Sequence, residues 1–266
     1  MLPAVAAAHG DLSEQIAAVT KEIAANPGDA RLYIKRGELH RFDGQLAAAL
    51  ADYVEASRID PFLPEADLGR GRALLDANRA ARARDPLVRF LHARPNHAEG
   101  RLALARCLAK LGRGTESAAE YTRAIGLFSP PNPDLYVERA RVLAAGGRPA
   151  DAIRGLDEGI ARLGPLVALQ DVAIDLEVQR KNWDGALARV ERVAASSARR
   201  ETWLARRGEI LAAAGRPREA RESFEAAQQS IEALSPRLRQ TRAMSRLEEK
   251  VRDSLAALKG KTDAKS

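Results

Sequence analysis

Small and apolar side chains return to the same places along this chain every 34 residues. With Ala30 as position 1, Tyr33, Gly37, His40, Gly44, Ala49, Tyr53, Ala56 and Pro61 fall at positions 4, 8, 11, 15, 20, 24, 27 and 32. The next frame puts Gly71, Leu74, Leu87 and Pro95 at 8, 11, 24 and 32, and a third, from Ala98, puts Ala105, Leu108, Gly112, Tyr121 and Ala124 in the same slots. One extra residue within 129–133 shifts the count, after which Tyr136, Ala140, Leu143, Gly147, Ala152 and Leu156 resume it. The fifth frame keeps Ala186 and Val190, and the sixth Leu204, Gly208, Leu211, Gly215, Ala220, Phe224 and Ala227.

Helical neighbours recur every three or four residues, so positions 4, 8 and 11 share one face of a first helix and 20, 24 and 27 one face of a second. Small residues at 8 and 20 let the two axes approach. Glycine at 15 (Gly44, Gly112, Gly147, Gly215) suits the left-handed backbone that ends a helix, and proline at 32 stops the second one. A lone hairpin cannot bury its apolar stripe, so the units must stack. The expected organisation is six hairpins at 30–63, 64–97, 98–132, 133–166, 167–200 and 201–234. An entry helix lies in 11–29, with Ile16, Val19 and Ile23 on one face and Pro27, Gly28 and Asp29 ending it. A helix over 235–259 closes the stack, with Leu247, Val251, Leu255 and Leu258 turned inward and arginines outward. Residues 260–266 are expected to be disordered.

Over residues 30–234 these slots resemble the tetratricopeptide repeat family, as found in bacteria. The resemblance implies an all-α α-α superhelix, a solenoid of six hairpins, whose function is to bind protein without catalysis of its own. The fifth unit departs from the pattern. Ile174, Glu177 and Lys181 stand where the family prefers small, aromatic and glycine residues, which marks this hairpin as the most mobile.

Aromatics are only 4% of the residues, consistent with closely approaching helices around a thin core. Of the net charge of +7, the segment 235–266 supplies five, from nine Lys/Arg against four acids. The basic balance therefore describes one end of the chain. Docking of residues 237–261 on nucleic acid or lipid is an alternative reading, and a non-catalytic subunit of an enzyme complex is another. Both anionic surfaces are disfavoured as partners because a basic cap is ordinarily solvated. No stretch approaches the roughly 20 apolar residues a bilayer span needs. Residues 1–10 are either an Ala-rich frayed terminus or, with Ala6-x-Ala8 before His9, the remnant of a secretory signal. The second reading places the protein in the periplasm or outside the cell, the first in the cytoplasm. A monomer is favoured.

Candidate chemistry is sparse. His40 occupies a packing slot, His92 and His97 flank Pro95 without a ligand geometry, and the lone Cys107 reads as a small buried residue. Gly112-Arg113-Gly114-Thr115 lies at an inter-helix turn where glycine is expected anyway. No catalytic residue, cofactor or metal is expected.

In the family the first helices line the groove, and position 9 points into it. Here that position reads Glu38, Arg72, Arg106, Arg141, Asp175 and Glu209. Three consecutive arginines on hairpins about 10 Å apart would form a ladder for carboxylates, turning acidic at Asp171, Asp175 and Glu209. The partner segment would be acidic at one end and basic at the other. On a second reading Glu38 pairs with Arg72 and Arg141 with Asp175, leaving Arg106 uncommitted. The family's clamp on a C-terminal carboxylate wants lysine at position 5 and asparagine at 9; Ile34 and Glu38 occupy those places in the first unit and disfavour it.

Overall fold

The computed structural model describes residues 3–263, which form fifteen helices and no strand among the described residues. The chain divides into two compact units, the first ending at Gly146 and the second beginning at Gly147.

The first unit contains α1 (Pro3–Ala25), α2 (Ala30–Phe42), α3 (Leu46–Ile59), α4 (Glu65–Asp76), α5 (Ala80–Ala93), α6 (Ala98–Lys110), α7 (Gly114–Leu127) and α8 (Pro133–Ala145). Each helix packs against the next from α1 to α8, and the first helices α2, α4 and α6 lie side by side. Side-chain caps set several starts: the Arg31 N–H donates to Asp29, and the Asp134 N–H donates to Asn132 immediately ahead of Pro133. Entry helix α1 begins at Pro3, before the expected Asp11, because the intervening Ala-rich residues have high helix propensity. Met1 and Leu2 lie outside the described residues.

The second unit contains α9 (Pro149–Leu163), α10 (Val167–Gln179), α11 (Trp183–Ser196), α12 (Arg200–Ala213), α13 (Pro217–Glu232), α14 (Pro236–Arg239) and α15 (Arg242–Asp263). The expected single closing helix is two. The Thr241 hydroxyl donates to the Leu238 carbonyl at 2.8 Å and so closes α14, while the Thr241 carbonyl accepts the Met244 and Ser245 N–H groups that open α15. α15 then lays Met244, Val251 and Leu258 against α12 and α13. Residues 260–263, expected to be disordered, continue this helix; residues 264–266 lie outside the described part.

The packing logic is an exchange of size between positions 8 and 24. A Cβ on Gly37 would sit 2.9 Å from the Tyr53 ring, and one on Gly208 2.8 Å from the Phe224 ring, closer than carbon atoms approach. Gly69 presses on the same Tyr53 ring, which is fully buried. The fifth hairpin inverts the pair. Ile174 fills position 8 and the smaller Val190 position 24, and both are buried in one core with Phe224 and Ile231. A larger residue at position 8 is matched by a smaller one at 24, as a close-packed interior requires.

Position 15 takes a left-handed backbone in all six frames. Gly44, Gly112, Gly147 and Gly215 have φ between 72° and 78°, and where glycine is absent Asn78 (55°) and Lys181 (58°) do the same. In five of these turns the next N–H bonds back to the helix, as from Arg79 to Leu74 (2.7 Å) and from Asn182 to Glu177 (2.9 Å). The position-15 N–H bonds to the carbonyl of the residue just after that acceptor, as from Asn78 to Leu75 and from Lys181 to Val178, completing a Schellman motif.

Candidate functional site

On the first-helix face of the first unit, position 9 places Glu38 on α2, Arg72 on α4, Arg106 on α6 and Arg141 on α8. The Glu38–Arg72 pair expected on one reading is not made. Glu38 accepts from Arg41 at 2.9 Å and from the Tyr53 hydroxyl at 3.0 Å, and Arg41 also donates to Asp76 at 2.9 Å. Arg106, expected to be uncommitted, donates twice to Glu138 at 2.6 and 2.8 Å, and the Tyr121 hydroxyl donates to the same carboxylate at 2.7 Å. Burial works against ionising Glu138, but the hydrogen bonds from Arg106 and Tyr121 hold its pKa below the ordinary glutamate value. Burial and the Glu38 charge push the Tyr53 phenol well above its usual range.

These pairings obey a register that same-position counting misses. Arg106 is position 9 of its repeat and Glu138 position 6 of the next; in the second unit Asp175 is position 9 and its partner Arg206 position 6 of the following repeat. Packed helices cross at an angle, so a side chain meets one set back along its neighbour rather than its own equivalent. Applied to Arg72, the register points to Ala103, which offers no acceptor. Applied to Glu38, it points to Gly69, and Glu38 turns to Arg41 and Tyr53 instead.

Arg72 and Ala103 line one pocket of about 330 Å³, together with Arg41, Asp76, Glu99, Arg106 and Lys110. Lys110 donates to the Asn78 side chain at 3.0 Å, so Arg41, Arg106 and Lys110 all have partners. Arg72 has none among the described residues. Neither has Glu99, exposed at the start of α6. Arg141 is exposed and makes no hydrogen bond or ion pair with the described residues, although its charge acts on Glu138.

In the second unit Asp175 and Glu209 both bond to Arg206, and Lys250 of α15 reaches Glu209 at 2.5 Å. The pairing of Asp175 with Arg141 is thus replaced by one with Arg206, in the register just described. Partial desolvation and the neighbouring Asp175 charge raise the pKa of Asp171 against the opposing pull of Arg206.

His40, His97 and Cys107 make packing or capping contacts. His97 caps α6 by accepting the Gly100 N–H at Nδ1 (3.1 Å) and meets the Phe90 ring edge-on. Nε2 of His40 lies 3.9 Å from Asp52. The Cys107 thiol is fully buried and donates to the Ala80 carbonyl. Among the described residues no cluster of His, Cys, Asp or Glu could hold a metal ion, and no helix is long and apolar enough to cross a membrane.

Repeated helical hairpins with a charged first-helix face define a class, the helical-repeat scaffolds. Profiles described as tetratricopeptide repeat match residues 30–62, 68–130, 115–168 and 173–236. With well over half its length matched, the chain belongs to the tetratricopeptide repeat family. No curated protein matches it significantly in sequence. Among solved structures it is similar to a tetratricopeptide repeat protein from Parabacteroides merdae ATCC 43184, with 18% identity over 91% of this chain and 93% of that one and a TM-score of 0.55. It is also similar to PilW, a type IV pilus biogenesis factor (20% identity, 73% and 91% covered, TM-score 0.59). A third is MamA from Desulfovibrio magneticus RS-1 (14%, 56% and 84%, TM-score 0.52). At these identities the likeness is one of fold. Such repeats serve in general as protein-interaction scaffolds, and the chain is a protein-interaction scaffold in that general sense; the family is generally non-catalytic.

Proposed function

We propose that the first-helix face of the first unit binds an extended, acid-bearing segment of a partner protein, and that the chain performs no reaction of its own. One observation carries this reading: Arg72 has no partner in a pocket whose other cations are all paired. A guanidinium cannot shed its charge and presents a planar fork that fits a carboxylate. Arg141, two repeats along, is the second free cation of this face. Glu99 is the free acid beside Arg72, a place for a lysine or arginine of the same segment. Arg106 enters as a fixed charge whose bonds to Glu138 a ligand would have to break. Lys250 and Arg239 are already bonded to Glu209 and Glu248, which weakens the alternative of an anionic surface docking on the closing helix.

A blocked peptide with glutamate at every third residue, separated by glycines, spaces its carboxylates about 10 Å apart when extended and so matches the hairpin repeat. Titrated into the full chain by isothermal calorimetry, it should bind about tenfold more weakly to Arg72→Gln than to wild type, with a smaller loss for Arg141→Gln. Affinity unchanged in both variants, or unchanged when glutamine replaces its glutamates, overturns the proposal.

A further inference from the structure

Position 7 of the first helix obeys a second register. Arg36 donates twice to Asp52, position 23 of the same repeat, and once to Thr20 on the preceding helix. In the sixth repeat Arg207 donates to Ser223, again position 23, and to Glu191, position 25 of the repeat before. Arg139 of the fourth repeat donates to Thr122, also position 25 of its predecessor, at 3.1 Å. In the first and sixth repeats the position-7 arginine is thus held between its own second helix and the helix before the repeat by polar groups from both, and in the fourth the preceding helix supplies one. In the second repeat the arginine is Arg70. Position 23 of its repeat is Pro86 and position 25 of the preceding one is Val54, so neither neighbour offers an acceptor. Arg70 has no hydrogen bond or ion pair among the described residues.

Arg70 opens onto a shallow pocket of about 490 Å³ that also includes Pro61, Phe62, Pro64, Arg89 and His92. Arg89 is neutralised by a two-pronged bond to Asp67 (2.6 and 3.0 Å), which leaves the Arg70 charge uncompensated. Phe62 is 93% exposed. Its backbone is nonetheless held in place, because its N–H donates to the Asp60 side chain at 2.9 Å and prolines stand at 61 and 64. An aromatic residue whose backbone is already fixed in a turn gives up less entropy when covered than one on a free chain, and exposed aromatic rings are common anchors of interfaces. On α4, Arg70 and Arg72 stand about 200° apart around the axis, so this surface is distinct from the first-helix pocket.

We infer that the pocket at the α3–α4 turn is a second docking site, for a partner-protein segment that sets a carboxylate on Arg70 and an adjacent apolar side chain on Phe62. The charge balance selects the first feature and the uncovered ring the second. The inference stands independently of the function proposed above, since it uses none of the same residues.

The blocked tetrapeptide acetyl-Ser-Glu-Phe-Ser-amide and its Glu-to-Gln counterpart test it against the full, nitrogen-15-labelled chain by NMR titration. The acidic peptide should shift the backbone amides of Phe62, Leu63 and Arg70 saturably at millimolar concentration. Binding should weaken about tenfold in Arg70→Gln, the loss expected for one charge-assisted hydrogen bond, with a comparable loss in Phe62→Ala and none in Arg72→Gln. Both substitutions lie on the surface, and far-UV circular dichroism confirms that the variants remain folded. Equal binding of the glutamine peptide overturns the inference. So does the absence of shifts at Phe62 and Arg70, or shifts confined to the first-helix face that vanish in Arg72→Gln.

Discussion

Lys181 is a long-chain residue held in a left-handed backbone, with φ at 58°, where four of the six equivalent turns use glycine. The left-handed conformation costs an L-residue about 1–2 kcal/mol through the approach of Cβ to the following carbonyl. Lys181→Gly removes that cost. It also adds freedom to the unfolded chain, which offsets about 0.5–1 kcal/mol. The net expectation is a gain of about 0.5–1 kcal/mol, and no contact is lost, because the lysine side chain is exposed and makes no hydrogen bond or ion pair among the described residues. The backbone bonds of the turn, Lys181 N–H to Val178 and Asn182 N–H to Glu177, both at 2.9 Å, remain available to glycine. In a chain of this length the gain corresponds to about 1–3 °C in melting temperature.

Urea unfolding followed by circular dichroism measures the effect. Because repeats are stabilised mainly by their neighbours, hydrogen exchange of the α10 and α11 amides should slow more than that of α2 to α7. Lys181→Ala is the decisive control: it removes the side chain but keeps Cβ, so it should leave stability within about 0.5 kcal/mol of wild type. If alanine stabilises as much as glycine, the cause is the lysine charge or chain and not the backbone, and the reasoning fails. Asn78→Gly should bring less, since asparagine tolerates this conformation and its side chain accepts from Lys110.

Three further outcomes follow from the packing and the charges. Gly208→Ala places a methyl group 2.8 Å from the Phe224 ring and should destabilise by about 1–3 kcal/mol in urea unfolding, whereas Gly28→Ala, with open space around it, should cost far less. Glu138 has its pKa held below the ordinary 4.5 when folded, so its contribution is present above that pH and is lost as the pH falls through the lowered value; thermal melts of Glu138→Gln should show a shallower acid dependence than wild type. Asp171 has its pKa raised, so its ionisation opposes folding above the ordinary 3.8; Asp171→Asn should melt higher at neutral pH, with the gain vanishing below that value.

The repeat was legible because each of its requirements falls on one residue type at one place. Glycine at 15 marks a backbone that few other residues adopt, and a small residue at 8 leaves room for the ring at 24. The fifth hairpin looked weakest because its exceptions were read singly. Ile174 at 8 is tolerated because Val190 at 24 has shrunk, and Lys181 because its turn keeps the Schellman bonds. The charged face was legible as a set of residues but not as a set of pairs. Pairing depends on how far one helix is offset along its neighbour, a quantity the 34-residue period does not contain. Same-position counting therefore left Arg106 free and gave Arg72 a partner, the reverse of what the crossing helices produce. A signal was present in the sequence: Arg106 and Glu138, and likewise Asp175 and Arg206, are opposite charges slightly less than one repeat apart.

A repeat array displays each surface position several times, so the pairs that form define a rule and the positions that break it stand out. Arginines at position 7 are held from two sides in the first and sixth repeats and by the preceding helix in the fourth, and position-9 charges meet a position-6 partner in two. Both rules fail on α4, where the register places Pro86 and Val54 around Arg70, and Ala103 opposite Arg72. The register positions beside these two cations supply no acceptor, and arginine cannot relieve the cost of an unpaired charge by losing its proton. In both proposals made above, a carboxylate from a partner supplies what the fold withholds. On that reading the residues that deny α4 its internal ion pairs are what equip it to hold a partner, and the two arginines, about 200° apart around one helix, would let it do so from either side.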